Sequence, residues 1–332
     1  MSGFEPSNDA EWLLHELGGM HRSQVLSTLA ALGVPDKLKA DGPTPRLDLM
    51  ARVDSFQDGF ESLLRAGVGL GVLREDPPDT FALTARGEQL CSDRLGAFAS
   101  FLGSSTQWDP WSRLRDSLRD DESRTAFEHA HRQPLYEWLA KHPAAAAEYD
   151  AAIDAFTRHE AEAIVAQLDV ADARRIVDVG GGRGALLLAV LAKATAARGV
   201  LFDLPHVVDA ARAELPERVE AVAGSFVSDV PAGGDVYLLK HVLHNWADGV
   251  AALILSRCKA AGADGGRIVV IDAVLSPDNR PDLARMLDLE MRVLCGGRER
   301  RRVELRRLFH GVGLQIEREH ALPTGSWVFE LR

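Results

Sequence analysis

The sequence is poor in several things, and each shortage excludes something. It has three cysteines, Cys91, Cys258 and Cys295. They lie far apart and lack metal-ligand spacing, which argues for a reducing compartment and against a disulfide framework or a bound metal. No apolar run approaches the ~18 residues that a membrane-spanning helix needs. The first residues, "MSGFEPSNDA", lack the basic and apolar regions of a signal peptide. Positive charge is short as well. Lys and Arg number 38 against 49 Asp and Glu, for a formal net charge of −11, so a phosphate backbone would be repelled and nucleic acid is not an expected partner. Internal repeats and low-complexity tracts are missing too. These absences point to a soluble, cytoplasmic protein with no membrane partner.

What is present is enough for a full core: 46% of the 332 residues are hydrophobic, which speaks against disorder. The length suggests two domains, and the two halves read differently. Residues 1–168 are mostly helical in pattern. "EWLLHELGGMHRSQVLSTLAALGV" has apolar residues at helical spacing, with Gly33 placed to end it. "FQDGFESLLRAGVGLGVLRED" reads as an amphipathic helix running into a short strand, and "PPD" turns the chain into "TFALTARGEQL". Helix, strand, turn, strand is a winged-helix outline. Asp58 and Glu61 on the exposed face of its recognition helix speak against DNA. "PLYEWLAKHPAAAAEYDAAIDAFTRHEAEAIVAQL" reads as two helices split at Pro143.

Residues 169–332 alternate short apolar runs with helical connections. The expected strands are 175–180, 199–204, 219–224, 235–243, 267–275, 314–322 and 326–332. Such Val, Ile and Leu runs indicate a parallel sheet covered on both faces, an α/β fold. Only "PTG" separates the last two, so the seventh strand should run antiparallel to its neighbour.

The stretch "IVDVGGGRGALLLAVL" ends a strand in glycines and opens a helix. Glycine lets the backbone turn and approach a ligand, and the helix start offers free N–H groups. Asp203, ending the next strand, can accept from both hydroxyls of a ribose. Gly180, Gly182 and Ala185 satisfy a dinucleotide fingerprint, so NAD fits. Asp178, two residues before the glycines, is awkward beside a pyrophosphate and natural beside an ammonium, as in S-adenosylmethionine. A further strand, "VYLLKHVLHNWADG", ends in His241, His244, Asn245 and Trp246. Either these rings pack and cap, or His244 takes a proton from something bound there. Asp248 reads as the N-cap of the following helix. Arg298, Arg300, Arg301, Arg302, Arg306 and Arg307 read as a solvated helix face. Trp108 and Trp111 are possible aromatic walls for a planar ligand.

"VDVGGGRG", "FDLPHVV", "KHVLHNWAD", "RIVVIDAVL" and "GGRERRRVEL" occur in the order and spacing of the S-adenosylmethionine-dependent small-molecule O-methyltransferases. The sequence resembles this family, of caffeic-acid and acetylserotonin type, over nearly its whole length, and resembles in particular the tailoring enzymes of bacterial polyketide and antibiotic pathways. The resemblance implies a Rossmann-like methyltransferase sheet of seven strands, the last antiparallel. It also implies an N-terminal winged-helix-like domain that makes a homodimer and helps line the substrate site. The implied reaction is methylation of a phenolic hydroxyl of a small aromatic molecule in secondary metabolism. Alternatives are hydroxylation, decarboxylation or cyclisation on the same scaffold, or a regulator that senses the cofactor.

By the same resemblance His244 is the general base, flanked by Glu299 and Asp272. Asp178, Gly180, Gly182, Asp203, Ser225, Phe226, Lys240 and Trp246 face the cofactor. Trp108, Phe156, His159, Met286, Asp288 and Met291 face the acceptor. Met20 and Arg22 could reach a partner subunit's pocket. Two departures stand out: Asn245 replaces the family's usual Asp after the histidine, and Asp272 is a methylene shorter than the glutamate of plant members.

Overall fold

A computed structural model of the chain describes residues 7–53, 55, 59–279 and 282–332. It divides into two compact units, Met1–Trp108 and Asp109–Arg332.

In the first unit the opening helical pattern forms two helices, Asp9–Leu17 and Gly19–Ala31. The expected single helix breaks at Gly18 and Gly19, the residues with least to gain from helical backbone. Gly33, with φ +68°, starts the next element. Strands β1 (Thr44–Pro45), β2 (Leu73–Glu75) and β3 (Thr80–Leu83) form an antiparallel sheet in the order β1-β3-β2. Helix Gly59–Gly69 followed by β2 and β3 gives the winged outline. Leu29, Leu49, Phe60, Leu64 and Phe81 are its core. Glu61 is half-buried and paired with Arg65 at 2.5 Å, while Asp58 lies outside the described residues.

The second unit is built on β4 (Arg175–Val179), β5 (Arg198–Asp203), β6 (Val219–Ala223), β7 (Gly234–Lys240), β8 (Gly262–Leu275), β9 (Arg300–Arg301), β10 (Ile316–Ala321) and β11 (Ser326–Leu331). The sheet order is β10-β11-β8-β7-β4-β5-β6. β4 to β8 pair in parallel, and β11 runs antiparallel to both β8 and β10. All seven expected strands are present. The two-residue β9, paired with the end of β8 at Val274 and Leu275, is additional; two arginines carry no strand pattern.

Side chains alternate across the sheet. Val177, Tyr237, Leu239, Val270 and Phe329 enter one core, and Ile176, Leu238, Val269, Ile271 and Val328 enter the other. Both faces of the central strands are therefore buried, which is why those strands read as unbroken apolar runs, whereas the edge strands β6 and β10 are partly exposed and carry polar residues. The expected boundary at 168/169 falls inside the second unit. Helix Pro143–Gln167 is tied to the sheet by Ile164, which shares a core with Ile176 and Leu187. Among the described residues, no helix is long and apolar enough to cross a membrane.

The strand order positions the site. From β4 the chain moves outward through β5 and β6, then returns to β7 on the other side of β4. The carboxyl ends of β4 and β7 thus flank a topological switch point, where open α/β sheets hold ligands.

Candidate active site

The loop after β4 is held open by its backbone. Gly180 has φ +70° and donates its N–H to Phe202 O at 2.8 Å. A Cβ there would lie 2.9 Å from Val242 Cγ2, so only glycine fits. Gly182 (φ +57°) donates to Asp203 Oδ2 at 2.8 Å, and Leu204 N–H donates to Asp203 Oδ1 at 2.7 Å. Asp203 sits at the carboxyl end of β5 with both oxygens aligned by backbone. Burial, against these donors, raises its pKa. Asp178, at the end of β4, is 2% exposed. Burial, then the neighbouring Asp203 charge, pushes it up to about 7. Asp150, on helix Pro143–Gln167, is also pushed up to about 7, by burial and then Asp203.

The loop after β7 carries the histidines. His241 adopts φ +52°, uncommon for a residue with a Cβ. Asn245 Nδ2 donates to the His241 carbonyl at 3.0 Å, and Asn245 Oδ1 lies 3.5 Å from Cys295 Sγ. An ionised aspartate could not make the first bond, so Asn245 secures the unusual backbone of His241. His244 is buried in the short 3₁₀ turn Leu243–Asn245, with Nδ1 2.7 Å from Glu299 Oε1. A carboxylate only accepts, so Nδ1 carries the proton and Nε2 is left as the basic nitrogen. Burial works against a charged ring here, and Glu299 overcomes it, raising the His244 pKa above its ordinary value.

Three groups pin this turn. Arg298 N–H donates to the His244 carbonyl at 2.8 Å. A Cβ on Gly297 would overlap the same carbonyl oxygen. Arg300, 2% exposed, donates to Leu243 O at 2.9 Å, Trp246 O at 2.7 Å and Asp248 Oδ1 at 2.9 Å. The arginine run is therefore not one solvated face: Arg300 is interior because its guanidinium finds a full set of acceptors there. Nor is Asp248 the N-cap. It is the first residue of helix Asp248–Ala261, after Ala247, and its carboxylate serves Arg298 and Arg300.

Asp272, near the end of β8, is 2% exposed, and among the described residues neither of its oxygens has a hydrogen-bond partner. Burial pushes it up to about 7, against the pull of His244. Among the described residues it makes no hydrogen bond to His244, but one nitrogen of each histidine and one Asp272 oxygen lie within 4.8 Å of one another. The His241 and His244 rings stack with centroids 4.9 Å apart.

Helix Pro143–Gln167 closes the other side. Glu160, fully buried, lies 3.0 Å from Lys240 Nζ and 3.3 Å from His241 Nε2, and accepts from Ser326 Oγ at 2.8 Å. Burial opposes the Glu160 charge, but His241 and Lys240 hold its pKa well below the usual carboxylate range. Burial and then the Lys240 charge push His241 down to about 3, so the ring is neutral. Lys240 also rests 5.1 Å above the Phe156 ring and 3.3 Å from Thr157 Oγ1. Its ammonium is thus engaged by this helix.

The remaining expected residues divide. Phe226 meets Trp246 edge-on at 5.9 Å, and Tyr136 stacks on Trp246 at 6.0 Å. Ser225 opens a turn whose N–H donors come from Ser228 and Asp229. Met291 is buried beside Cys295, and Asp288 accepts from Glu299 N–H at 2.9 Å, which places it behind the dyad. His159 and Met286 are not brought to this cluster: both are exposed. Phe156 and Glu160, four apart, share a helix face from which residue 159 is rotated away. Trp111 Nε1 donates to Glu290 at 2.7 Å, whereas Trp108 is the half-buried last residue of the first unit. In that unit Met20 is exposed, and Arg22 donates to the His15 carbonyl at 2.6 Å. Glu160, Arg300 and Tyr136 have no signal in the sequence. A polar residue on a long helix, one arginine among several and one tyrosine gain meaning only from what they touch.

The fold and these loops define a methyltransferase-type α/β enzyme. A family model for the O-methyltransferase domain matches residues 111–315, and one for the O-methyltransferase dimerisation domain matches residues 14–93. The chain is 34% identical over 321 residues to phenazine O-methyltransferase PhzM of Lysobacter antibioticus, covering 95% of this chain and 93% of that one. It is 34% identical over 328 residues to 3-amino-4-hydroxybenzoate 4-O-methyltransferase of Streptomyces cremeus, covering 96% and 88%. The crystal structure of human N-acetylserotonin methyltransferase with S-adenosylmethionine superposes with a TM-score of 0.90, at 25% identity, over 100% of this chain and 99% of that one. The chain belongs to the O-methyltransferase family, and its cofactor is S-adenosylmethionine.

The site fits that cofactor. Nothing lies within 4 Å of where a Cβ on Gly182 would sit, so the loop presents open backbone. Among the described residues, Asp178 Oδ2 and Trp246 Nε1 are buried without hydrogen-bond partners.

Proposed function

We propose that the acceptor is a phenolic hydroxyl of a small aromatic molecule in secondary metabolism, such as antibiotic biosynthesis, and that His244 is the general base. The observation that carries this reading is the buried 2.7 Å bond between His244 Nδ1 and Glu299, which leaves a basic Nε2 beside the switch point. The names of the relatives, a phenazine and a hydroxybenzoate methyltransferase, support an aromatic acceptor.

S-adenosylmethionine supplies a methyl on a sulfonium and a neutral thioether leaving group. Asp203 would hold the ribose hydroxyls, and the Gly180–Gly182 backbone and Asp178 would hold the amino-acid end. Ser225, Phe226, Trp246 and Tyr136 would bracket the adenine. His244 Nε2 takes the proton of the acceptor hydroxyl and so makes its oxygen the nucleophile. Glu299 compensates the imidazolium, and the negative field of Asp272 adds to it. Phe156 and Met291 contact the ring of the acceptor. The dimerisation-domain match supports a homodimer joined through the first unit, and the relatives' biosynthetic roles support a cytoplasmic location.

The test is transfer of label from S-adenosylmethionine to a panel of phenols. His244→Ala should lower kcat at least ~10²-fold, with cofactor affinity by calorimetry unchanged. Asp203→Ala should do the reverse, weakening cofactor binding first. Undiminished turnover in His244→Ala would sink the base assignment.

A further inference from the structure

Two imidazoles stand side by side at the end of β7. The rings of His241 and His244 stack with centroids 4.9 Å apart, and by residue type either could take a proton. Like charges this close in a buried site oppose one another, so a second titrating ring would compete with the base. The charged and titratable groups that face His241 are Glu160 from helix Pro143–Gln167, Lys240 from β7, His244 from the turn that follows, and Asp272 from β8. Glu160 joins three of these elements. Its Oε2 lies 3.0 Å from Lys240 Nζ and 3.3 Å from His241 Nε2, and its Oε1 accepts from Ser326 Oγ at 2.8 Å. The Lys240 and Glu160 side chains are 6% and 0% exposed, so the two charges balance each other away from water.

This geometry fixes the state of His241. A carboxylate takes a proton donor, so Nε2 carries the hydrogen. A second proton would have to enter on Nδ1, which is buried and, among the described residues, has no hydrogen-bond partner. Asp272 Oδ1, at 3.8 Å, is too far for one. Glu160, the carboxylate that touches the ring, is already matched by Lys240. Burial and the Lys240 charge both act against a charged ring. We propose that the Glu160–Lys240 pair consists of positioning residues that lock His241 as a neutral ring protonated on Nε2, so that His244 alone of the two stacked histidines takes the proton of the acceptor. The catalytic part of this rests on His244 being the base; the state of His241 does not.

Lys240 is the group to remove. Without it the Glu160 carboxylate is unmatched. Imidazole is a stronger base than a carboxylate by about two pK units, so His241 should take up a proton on Nδ1, toward Asp272. Adding Glu160→Gln removes the charge that calls for this proton, and the ring should be neutral again. A packing role alone would give the double variant the larger defect.

The test is NMR of enzyme carrying ¹⁵N-labelled histidine, free and with S-adenosylhomocysteine, with His241 assigned through His241→Gln. From pH 5 to 9 the wild-type ring should show a protonated Nε2 and a bare Nδ1 and should not titrate. In Lys240→Met it should titrate within that range. There kcat, measured by label transfer, should fall at least ~10-fold at pH values where the ring is charged, because a cation against His244 opposes imidazolium formation. Lys240→Met with Glu160→Gln should regain the wild-type signals and most of the lost turnover. A wild-type His241 that titrates in this range, or that carries its proton on Nδ1, overturns the proposal. So do unmoved His241 signals in folded Lys240→Met, and a double variant worse than the single one. If His244→Ala retains turnover while His241 behaves as described, the base assignment fails and the state assigned to His241 stands.

Discussion

At the scale of single residues, the chemistry depends on how one imidazole is held. Glu299 raises the His244 pKa despite burial, so the base stays protonated, and idle, to a pH above the ordinary ~6.5 of histidine. The rising limb of kcat against pH should therefore have its midpoint on the alkaline side of that value. Glu299→Gln removes the compensating charge, so the midpoint should move toward acid while the plateau falls, because imidazolium is less stabilised. A kcat profile from pH 5 to 9 on both proteins checks this; a midpoint that does not move would show that Glu299 is not coupled to the base. The position of His244 at a strand end was legible in the sequence. Its partner was not, because Glu299 lies 55 residues away and only the family resemblance marked it. The same holds for Glu160, 81 residues from His241.

At the scale of elements, the segment 297–301 grips the turn that carries the base. Arg298 N–H, the Glu299 carboxylate and the Arg300 guanidinium bond in succession to residues 243–246, while β9 anchors the segment to β8. Arg300→Met would strand two carbonyls and part of Asp248, at about 1–3 kcal/mol for each unmet buried group. Thermal unfolding should show a clear loss, and Arg300→Lys, which keeps the charge and one donor direction, a smaller one. Equal stability of all three proteins would show that the grip is incidental. The central strands of the sheet could be read from sequence because both their faces are buried and each apolar run reports it. The grip could not, since six arginines in ten residues look alike until one of them is seen to be enclosed by carbonyls.

At the scale of the whole molecule, the first unit leaves Trp12, Leu13, Leu14, Leu17 and Met20 exposed on its opening helices, Leu14 at 69%. An apolar face of this kind on an isolated chain calls for a covering surface, and the dimerisation-domain match covers the same residues from 14 onward. Leu14→Glu with Leu17→Glu should convert a dimer to a monomer in sedimentation velocity; an unchanged dimer would place the interface elsewhere. The sequence by itself determined the alternation of strands and helices, the antiparallel last strand, the glycine turn and the carboxylate and imidazole that end their strands. Each of these follows from local periodicity or from a backbone conformation that few residues tolerate. Only the tertiary structure decided that Arg300 is interior, that Asn245 supports the backbone of His241, that Glu160 holds His241 and Lys240, and that Asp272 stands buried beside the base with its oxygens unmet. Those facts depend on contacts between segments far apart in the chain, and residue type alone cannot say which of several similar side chains folding will enclose.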